Sequence, residues 1–239
     1  MSSSAKQYKA VIFSDFDGTI TLQDSNDYLT DKYGFGKEER LEIFKGVLDG
    51  SKSFKEGFTQ MLDSIKLPLN ECIDILINHI QLDPGFIELY KYCQKEDIPL
   101  VIISSGMKPL IRAVLNNLFT KSNVTPNIEI VSNDVVEDAS HSKNGYWHII
   151  FKDVDSPHGH DKSRSIDELK LKYPVTPNGK GKYFYCGDGV SDLSAAKECD
   201  VLFARSGKDL ITYCDKLNIP YVKFNSFEDI MNEVKKELS

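Results

Sequence analysis

Four short apolar runs punctuate the chain, and each stops abruptly at polar or small residues. They are residues 9–14 (Lys-Ala-Val-Ile-Phe-Ser), 99–103 (Pro-Leu-Val-Ile-Ile), 183–186 (Tyr-Phe-Tyr-Cys) and 200–204 (Asp-Val-Leu-Phe-Ala). A strand with one wet face alternates apolar and polar side chains, whereas a strand buried on both faces is apolar throughout. The unbroken runs therefore predict internal strands of a parallel sheet. Helical periodicity fills the intervals between them, which is the order of βαβ units. The expected fold class is α/β, a doubly wound, Rossmann-like parallel sheet.

The first interval is too long for a single crossover. About 80 residues separate Asp15 from Pro99, where a dozen or so would suffice. Residues 37–48 carry Leu41, Phe44, Val47 and Leu48 at helical spacing before Gly50. Ser53 followed by Glu56 reads as a capping box, opening a helix with Phe54, Phe58, Met61, Leu62 and Ile65; a third helix is expected over 70–80. Together they predict a small helical cap, residues 22–82, inserted after the first strand of a core formed by 1–21 and 83–239. Asp83-Pro84-Gly85 should start the returning helix with Pro84 in its first position. Asn144-Gly145, between 128–136 and 146–154, reads as a hairpin turn or an extended edge. Residues 226–238 form a capped amphipathic helix.

Composition narrows the partners. With 239 residues, 41% of them hydrophobic, the chain can bury a sizeable core without staples. Lys and Arg number 29 against 36 Asp and Glu, a net charge of -7, so the global field repels phosphate backbones and anionic lipid. No nucleic acid and no membrane partner is expected. A phosphate-handling site would need local positive charge from a metal or a placed lysine. The five cysteines (Cys72, Cys93, Cys186, Cys199, Cys214) show no C-x-x-C spacing, which suggests a reducing compartment and no zinc site. No apolar stretch approaches the ~18 residues of a membrane span, and Met1 to Lys9 has no apolar run behind a basic segment, so the expected location is the cytoplasm.

Four motifs carry candidate chemistry. Asp15-Phe16-Asp17-Gly18-Thr19 sets two carboxylates just beyond the carboxyl end of a buried strand, the edge where open α/β sheets bind ligands. Carboxylates so close repel unless a cation lies between them, which suits Mg²⁺; the bland alternative is a simple bend at a strand exit. Gly187-Asp188-Gly189-Val190-Ser191-Asp192 follows another run, so Asp188 could complete a metal shell and Asp192 orient metal-bound water; alone it is also an ordinary glycine-rich turn. Ser104-Ser105-Gly106 offers a hydroxyl and free N–H groups before a helix, a phosphate site or a plain serine N-cap. Lys162, in Gly159-His160-Asp161-Lys162-Ser163, opposes the dipole of the helix it opens. Either an anion compensates it or it is a solvated surface lysine. His158 and His160 hint at zinc only weakly, with no cysteine nearby; shaping the loop or touching substrate fits them better.

This ordered set resembles the haloacid dehalogenase superfamily of phosphohydrolases, whose four motifs match at 15–19, 103–106, Lys162 and 187–192. The resemblance implies that Asp15 is a nucleophile forming an aspartyl-phosphate and that Asp17 is the acid and base. It further implies a Mg²⁺ site made by Asp15, Asp17 and Asp188 with Asp192 supporting it, and a phosphate clamp made by Ser104, Ser105, Gly106 and Lys162. Within the superfamily the chain is similar to the branch of phosphoserine, phosphocholine/phosphoethanolamine and methionine-salvage phosphatases, and most of all to fungal members acting on sugar-alcohol phosphates. Phosphoserine phosphatases read the substrate carboxylate with an arginine, yet the helix 54–65 has none and Arg40 is the only arginine in 22–82. Asp24, Ser25 and Asn26 could hydrogen-bond hydroxyls, or Ser25 or Asn26 could merely cap a helix. The expected function is thus Mg²⁺-dependent hydrolysis of a small metabolite phosphate, a polyol phosphate first. The rivals are the other phosphatases of the branch, phosphotransfer to an alcohol, and a non-catalytic phosphometabolite-binding regulator.

Overall fold

The computed structural model describes residues 6–122, 124–140 and 143–239. Its strands, in chain order, are β1 (Ala10–Ser14), β2 (Leu100–Met107), β3 (Glu129–Val136), β4 (His148–Ile150), β5 (Lys182–Gly187), β6 (Val201–Arg205) and β7 (Val222–Phe224). They form one sheet in the order β4-β3-β2-β1-β5-β6-β7, parallel except for the antiparallel pair β3–β4. The winding reverses at β1, which is flanked by β2 and β5, so a crevice opens at its carboxyl end.

Alternation within the apolar runs sets the layers. Val11 and Phe13 of β1, Val101 and Ile103 of β2, Tyr185 of β5 and Leu202 and Ala204 of β6 enter one core cluster. Their neighbours Ala10, Ile12, Leu100, Ile102, Phe184, Cys186 and Phe203 enter the other. The first cluster is closed by α7 (Lys162–Lys172), α8 (Leu193–Ala196) and α9 (Asp209–Leu217), and the second by α5 (Phe86–Lys95), α6 (Lys108–Thr120) and α10 (Phe227–Glu237). The doubly wound α/β expectation holds.

Four helices lie between β1 and α5: α1 (Ser25–Tyr33), α2 (Lys37–Leu48), α3 (Phe54–Asp63) and α4 (Leu69–His79). The capping box forms, with the Ser53 hydroxyl accepting from Glu56 N–H and the Glu56 carboxylate from Ser53 N–H. The chain leaves and returns through one neck, where Thr21 bridges Leu82, Leu22 N–H donates to Gln81 O at 2.9 Å and Asp83 N–H to Ile20 O at 2.9 Å. The apolar interior of this insertion (Phe58, Met61, Leu62, Leu76) belongs to the same cluster as Ile12 and Phe86. Insertion and sheet therefore share buried surface.

One expectation needs correction. Pro84 does not open α5, which begins at Phe86 with Gly85 as its N-cap. Asp83 and Phe86 close that turn through an Asp83 O to Phe86 N–H bond of 3.1 Å, and Gly85 lies so close to Glu228 N that a side chain would collide. Asn144-Gly145 turns as expected, with Asn144 Oδ1 accepting from Tyr146 and Trp147 N–H, and the strands on either side, β3 and β4, pair antiparallel from Asp134↔Ile150 to Val136↔His148 at the edge of the sheet; His141 and Ser142 lie outside the described residues, and the residues just before β4 meet the insertion. There Trp147, fully buried, donates its indole N–H to Leu67 O at 3.0 Å, and Lys66 Nζ donates to Lys143 O.

A buried ion pair braces the turn after β1. Arg205 at the end of β6 donates to Thr19 O at 2.6 Å and to Asp83 Oδ2 at 2.7 Å, while Asp83 Oδ1 accepts from Gly85 and Phe227 N–H. Removing one partner strands the other charge in the interior. Asp83→Asn or Arg205→Met should each lower stability by about 3–5 kcal/mol, read as a fall in the urea midpoint; an unshifted midpoint would show that this brace bears no strain.

Candidate active site

The first motif begins where β1 ends. Asp15 N–H still donates to Cys186 O of β5 at 2.9 Å, so the residue is seated by the sheet, and its carboxylate accepts from Phe16 N–H at 2.6 Å. Its other oxygen lies 2.8 Å from Lys162 Nζ. The same ammonium donates to Asp192 Oδ1 at 2.7 Å, and Lys162 is only 1% exposed. The solvated-lysine alternative is thereby excluded, and the anion that the helix position demanded is present twice over. Burial alone would lower the Lys162 pKa, but Asp15 and Asp192 more than reverse this and the net shift is upward.

Asp192 is the hub of the last motif. Its Oδ1 also accepts from the Tyr185 hydroxyl at 2.6 Å, and its Oδ2 from the N–H groups of Asp188 and Gly189 at 3.0 and 2.9 Å. With both oxygens so engaged, it shapes the loop that presents Asp188. The Asp188 carboxylate accepts from the Thr19 hydroxyl at 2.9 Å and lies 3.4 Å from Lys208 Nζ. Gly18, at φ +71°, makes room for it, since a Cβ there would lie 2.3 Å from Asp188 Oδ2. Ligand atoms of Asp15, Asp188 and Asp192 all fall within 4.8 Å of one another. Burial, reinforced by Asp192, raises the Asp188 carboxyl to about 6, and burial likewise holds Asp15 above the usual range despite Lys162. Three acids facing one buried lysine form a hard-oxygen set with excess negative charge, and such a set fits a divalent cation like Mg²⁺.

Asp17 points the other way, into the insertion. Its Oδ1 accepts from Ser25 N–H at 2.8 Å and its Oδ2 from Asn26 Nδ2 at 3.1 Å, both at the first turn of α1. Burial, with the nearby Asp24 adding to it, raises its pKa well above the ordinary carboxyl range. Asp24 is the N-cap of α1, its Oδ1 accepting from Asn26 and Asp27 N–H. The cap residue is thus neither Ser25 nor Asn26, and Asn26 is left free to hold Asp17. Gly106 brings the serine loop to the same place, where a Cβ would lie 3.0 Å from Asp17 Oδ2, 3.3 Å from Ser104 Oγ and 3.5 Å from Asn26 Nδ2.

The serine loop is no N-cap either, since α6 begins at Lys108 with Met107 as its cap. Ser104 Oγ accepts from Gly106 N–H at 3.0 Å, and Ser105 Oγ is a buried atom without a partner. His158 is exposed, whereas His160 is buried and commits both ring nitrogens, to Ser104 O and to Ser165 Oγ; the two do not form a zinc pair. Arg40 lies half-buried in the insertion with its guanidinium spent on acids. It donates to both oxygens of Asp31, at 2.7 and 3.0 Å, and lies 2.7 Å from Asp27.

Four contributors escape sequence reasoning: Thr19, Asn133, Tyr185 and Lys208. Tyr185 sits inside a strand, where one polar atom among apolar neighbours gives no signal beyond its own oddity, and Asn133 stands between Ser132 and Asp134, one polar residue among several. Lys208 follows Gly207 at the end of β6, and only the recurrence of loops at that sheet edge points to it.

The chain matches the haloacid dehalogenase-like hydrolase family over residues 12–197. It is 55% identical over 234 residues to a polyol phosphate phosphatase of Saccharomyces cerevisiae, covering 97% of this chain and 95% of that one. It is 46% identical over 233 residues to Pdp3-interacting factor 1 of Schizosaccharomyces pombe, covering 97% of each. Among solved structures, a phospho-aspartyl intermediate analogue of phosphoserine phosphatase superposes with a TM-score of 0.68 at 16% identity, covering 95% of this chain and 99% of that one. This last is a likeness of fold.

Raised carboxyl pKa values make the folded protein bind protons that the unfolded chain does not, so stability falls as pH rises through them. Without divalent cation, the melting temperature should therefore rise when pH is lowered from 8 to 5, across the Asp188 value of about 6. Added Mg²⁺ should flatten that dependence by replacing the protons; equal slopes with and without Mg²⁺ in a thermal melt would count against a cation at this cluster.

Proposed function

The chain belongs to the haloacid dehalogenase-like hydrolase family and is a phosphatase, and from this premise we propose that it hydrolyses a small, hydroxyl-rich phosphomonoester, a sugar-alcohol phosphate, through an aspartyl-phosphate on Asp15. The observation that carries the reading is the Asp15–Lys162–Asp192 chain of contacts beside Asp188. A phosphoryl group transferred through a loose transition state spreads charge over its oxygens, and positioned cations are the main means of stabilising it. Asp15 supplies the attacking oxygen; as its bond to phosphorus forms, the ester bond breaks and the leaving oxygen takes the proton of Asp17. Asp17, held by Ser25 and Asn26, suits that task because burial favours its protonated form. In the second step Asp17 accepts a proton from water, the water oxygen bonds to phosphorus, and the Asp15–phosphorus bond breaks to release phosphate. Ser104 and Lys162 hold the phosphoryl oxygens in both steps, with Ser105 and Gly106 shaping the loop. Mg²⁺ held by Asp15 and Asp188, with Asp17 contributing and Asp192 fixing the loop, supplies positive charge to the phosphoryl group when bound.

Selectivity follows from Arg40. A carboxylate-bearing substrate calls for a forked donor, and the single arginine of 22–82 is committed to Asp27 and Asp31. A neutral polyol asks only for hydrogen bonds, which Asp24 and Asn26 can offer, and the yeast relative's name points to the same class. We read residues 22–82 as a cap over a core of 1–21 and 83–239; it limits substrate size and keeps stray water from the intermediate.

Phosphate release from ribitol, sorbitol and glycerol phosphates, phosphoserine, phosphocholine and a sugar phosphate tests the reading. Polyol phosphates should turn over fastest, only with Mg²⁺, and not at all in Asp15→Asn. A preference for phosphoserine would overturn the Arg40 argument, and full activity in Asp15→Asn would overturn the nucleophile. Arg40→Met should leave the ratio of phosphoserine to ribitol phosphate rates unchanged, because its guanidinium does not serve substrate; a changed ratio in the same assay would place it there.

A further inference from the structure

β2 leaves its ladder at the serine loop. Its register with β3 runs through Ile103↔Val131 and Ser104↔Ser132 and resumes only at Met107↔Asn133, so Ser105 and Gly106 bulge from the sheet. A bulge strips main-chain groups of their partners, and a buried orphan carbonyl is costly. Two buried side chains take the freed carbonyls. Asn133 Nδ2 donates to Ser105 O at 2.7 Å while its Oδ1 accepts from Lys152 N–H at 2.9 Å. His160 Nδ1 lies 2.7 Å from Ser104 O, and its Nε2 lies 2.8 Å from Ser165 Oγ.

The partners fix the ring's state. A carbonyl oxygen can only accept, so Nδ1 carries the hydrogen, and in a neutral ring Nε2 then accepts from the Ser165 hydroxyl. Burial, opposed by the Ser104 bond, brings the imidazole down to about 4, which agrees with a neutral ring. Ser165 stands in the first turn of α7, the helix that opens with Lys162. One imidazole therefore spans from the loop that presents Ser104 to the helix that presents Lys162.

We infer that His160 is a positioning residue for phosphoryl transfer: its neutral imidazole, with Asn133 on the other carbonyl of the bulge, fixes the separation between the Ser104 hydroxyl and the Lys162 ammonium. The inference rests on the reading of Ser104 and Lys162 as the phosphoryl clamp. A clamp matched to the transition state loses rate, and little ground-state affinity, when its members drift; a displacement of about 1 Å can cost on the order of 10²-fold. The ring touches no substrate atom in this scheme.

The test compares kcat, KM, orthovanadate inhibition and melting temperature in the full chain carrying His160→Leu, His160→Asn or Ser165→Ala, with ribitol phosphate and Mg²⁺. His160→Leu, which removes both bonds, should lower kcat by on the order of 10²-fold with KM little changed and vanadate binding weakened in parallel. His160→Asn, whose amide can still donate to Ser104 O, should recover much of the loss, and Ser165→Ala should show a smaller drop in kcat. Wild-type kcat in His160→Leu, a loss confined to KM, or equal losses in the Leu and Asn variants would overturn the inference. If His160→Leu does not fold, Ser165→Ala decides, and wild-type kcat there overturns it. A wild-type protein inert on every phosphomonoester would overturn the clamp reading, and this inference with it; wild-type turnover with an unimpaired His160→Leu overturns the inference alone.

Discussion

An ammonium group fully removed from water is tolerated only where carboxylates surround it, because the desolvation cost amounts to several kcal/mol. Lys162 meets that condition by touching Asp15 at the end of β1 and Asp192 after β5. Three segments distant in sequence are thereby held to one point. Asp192 passes the constraint on, since its second oxygen gathers the N–H groups of Asp188 and Gly189 and its first also accepts from Tyr185. Much of the site's geometry thus descends from one buried charge that the sheet edge cannot leave unpaired. Such preorganisation suits a reaction in which charge migrates among oxygens, because the dipoles need not turn when it does.

The acid side of the site is built differently. Asp17 belongs to the motif after β1, but its hydrogen-bond partners are the first residues of α1. The insertion therefore orients a group that the core provides. Its own arginine is neutralised internally by Asp27 and Asp31. A fold does not fix a substrate, so a fold likeness at 16% identity to a phosphoserine phosphatase is compatible with the polyol reading proposed here.

Much of this was legible in the sequence where burial is two-sided. β1, β2, β5 and β6 announce themselves because both faces are covered and no polar position interrupts them. β7, with Lys223 between Val222 and Phe224, and the three-residue β4 are too short for such a pattern. Lys162 was legible as an anomaly, a cation at the wrong end of a helix. Pro84 misled because proline favours a first helical turn, whereas here Pro84 and Gly85 lie in a turn closed by Asp83 O and Phe86 N–H and α5 starts two residues on. Asp24 was legible as an acid near the site, and its role as cap rests on the N–H groups of Asn26 and Asp27. The partners of Arg40, and the roles of Asn133, His160 and Tyr185, arise from contacts between residues far apart in the chain, which a linear pattern does not encode.

Just before β4, Trp147 reaches Leu67, and it is the single tryptophan of the chain. Its indole is buried at the seam between the insertion and the sheet, with its one polar atom satisfied by the insertion's backbone. Any opening of that seam would wet the ring and free its N–H. The protein therefore carries an intrinsic chromophore placed where the two parts meet, and its emission colour reports their docking.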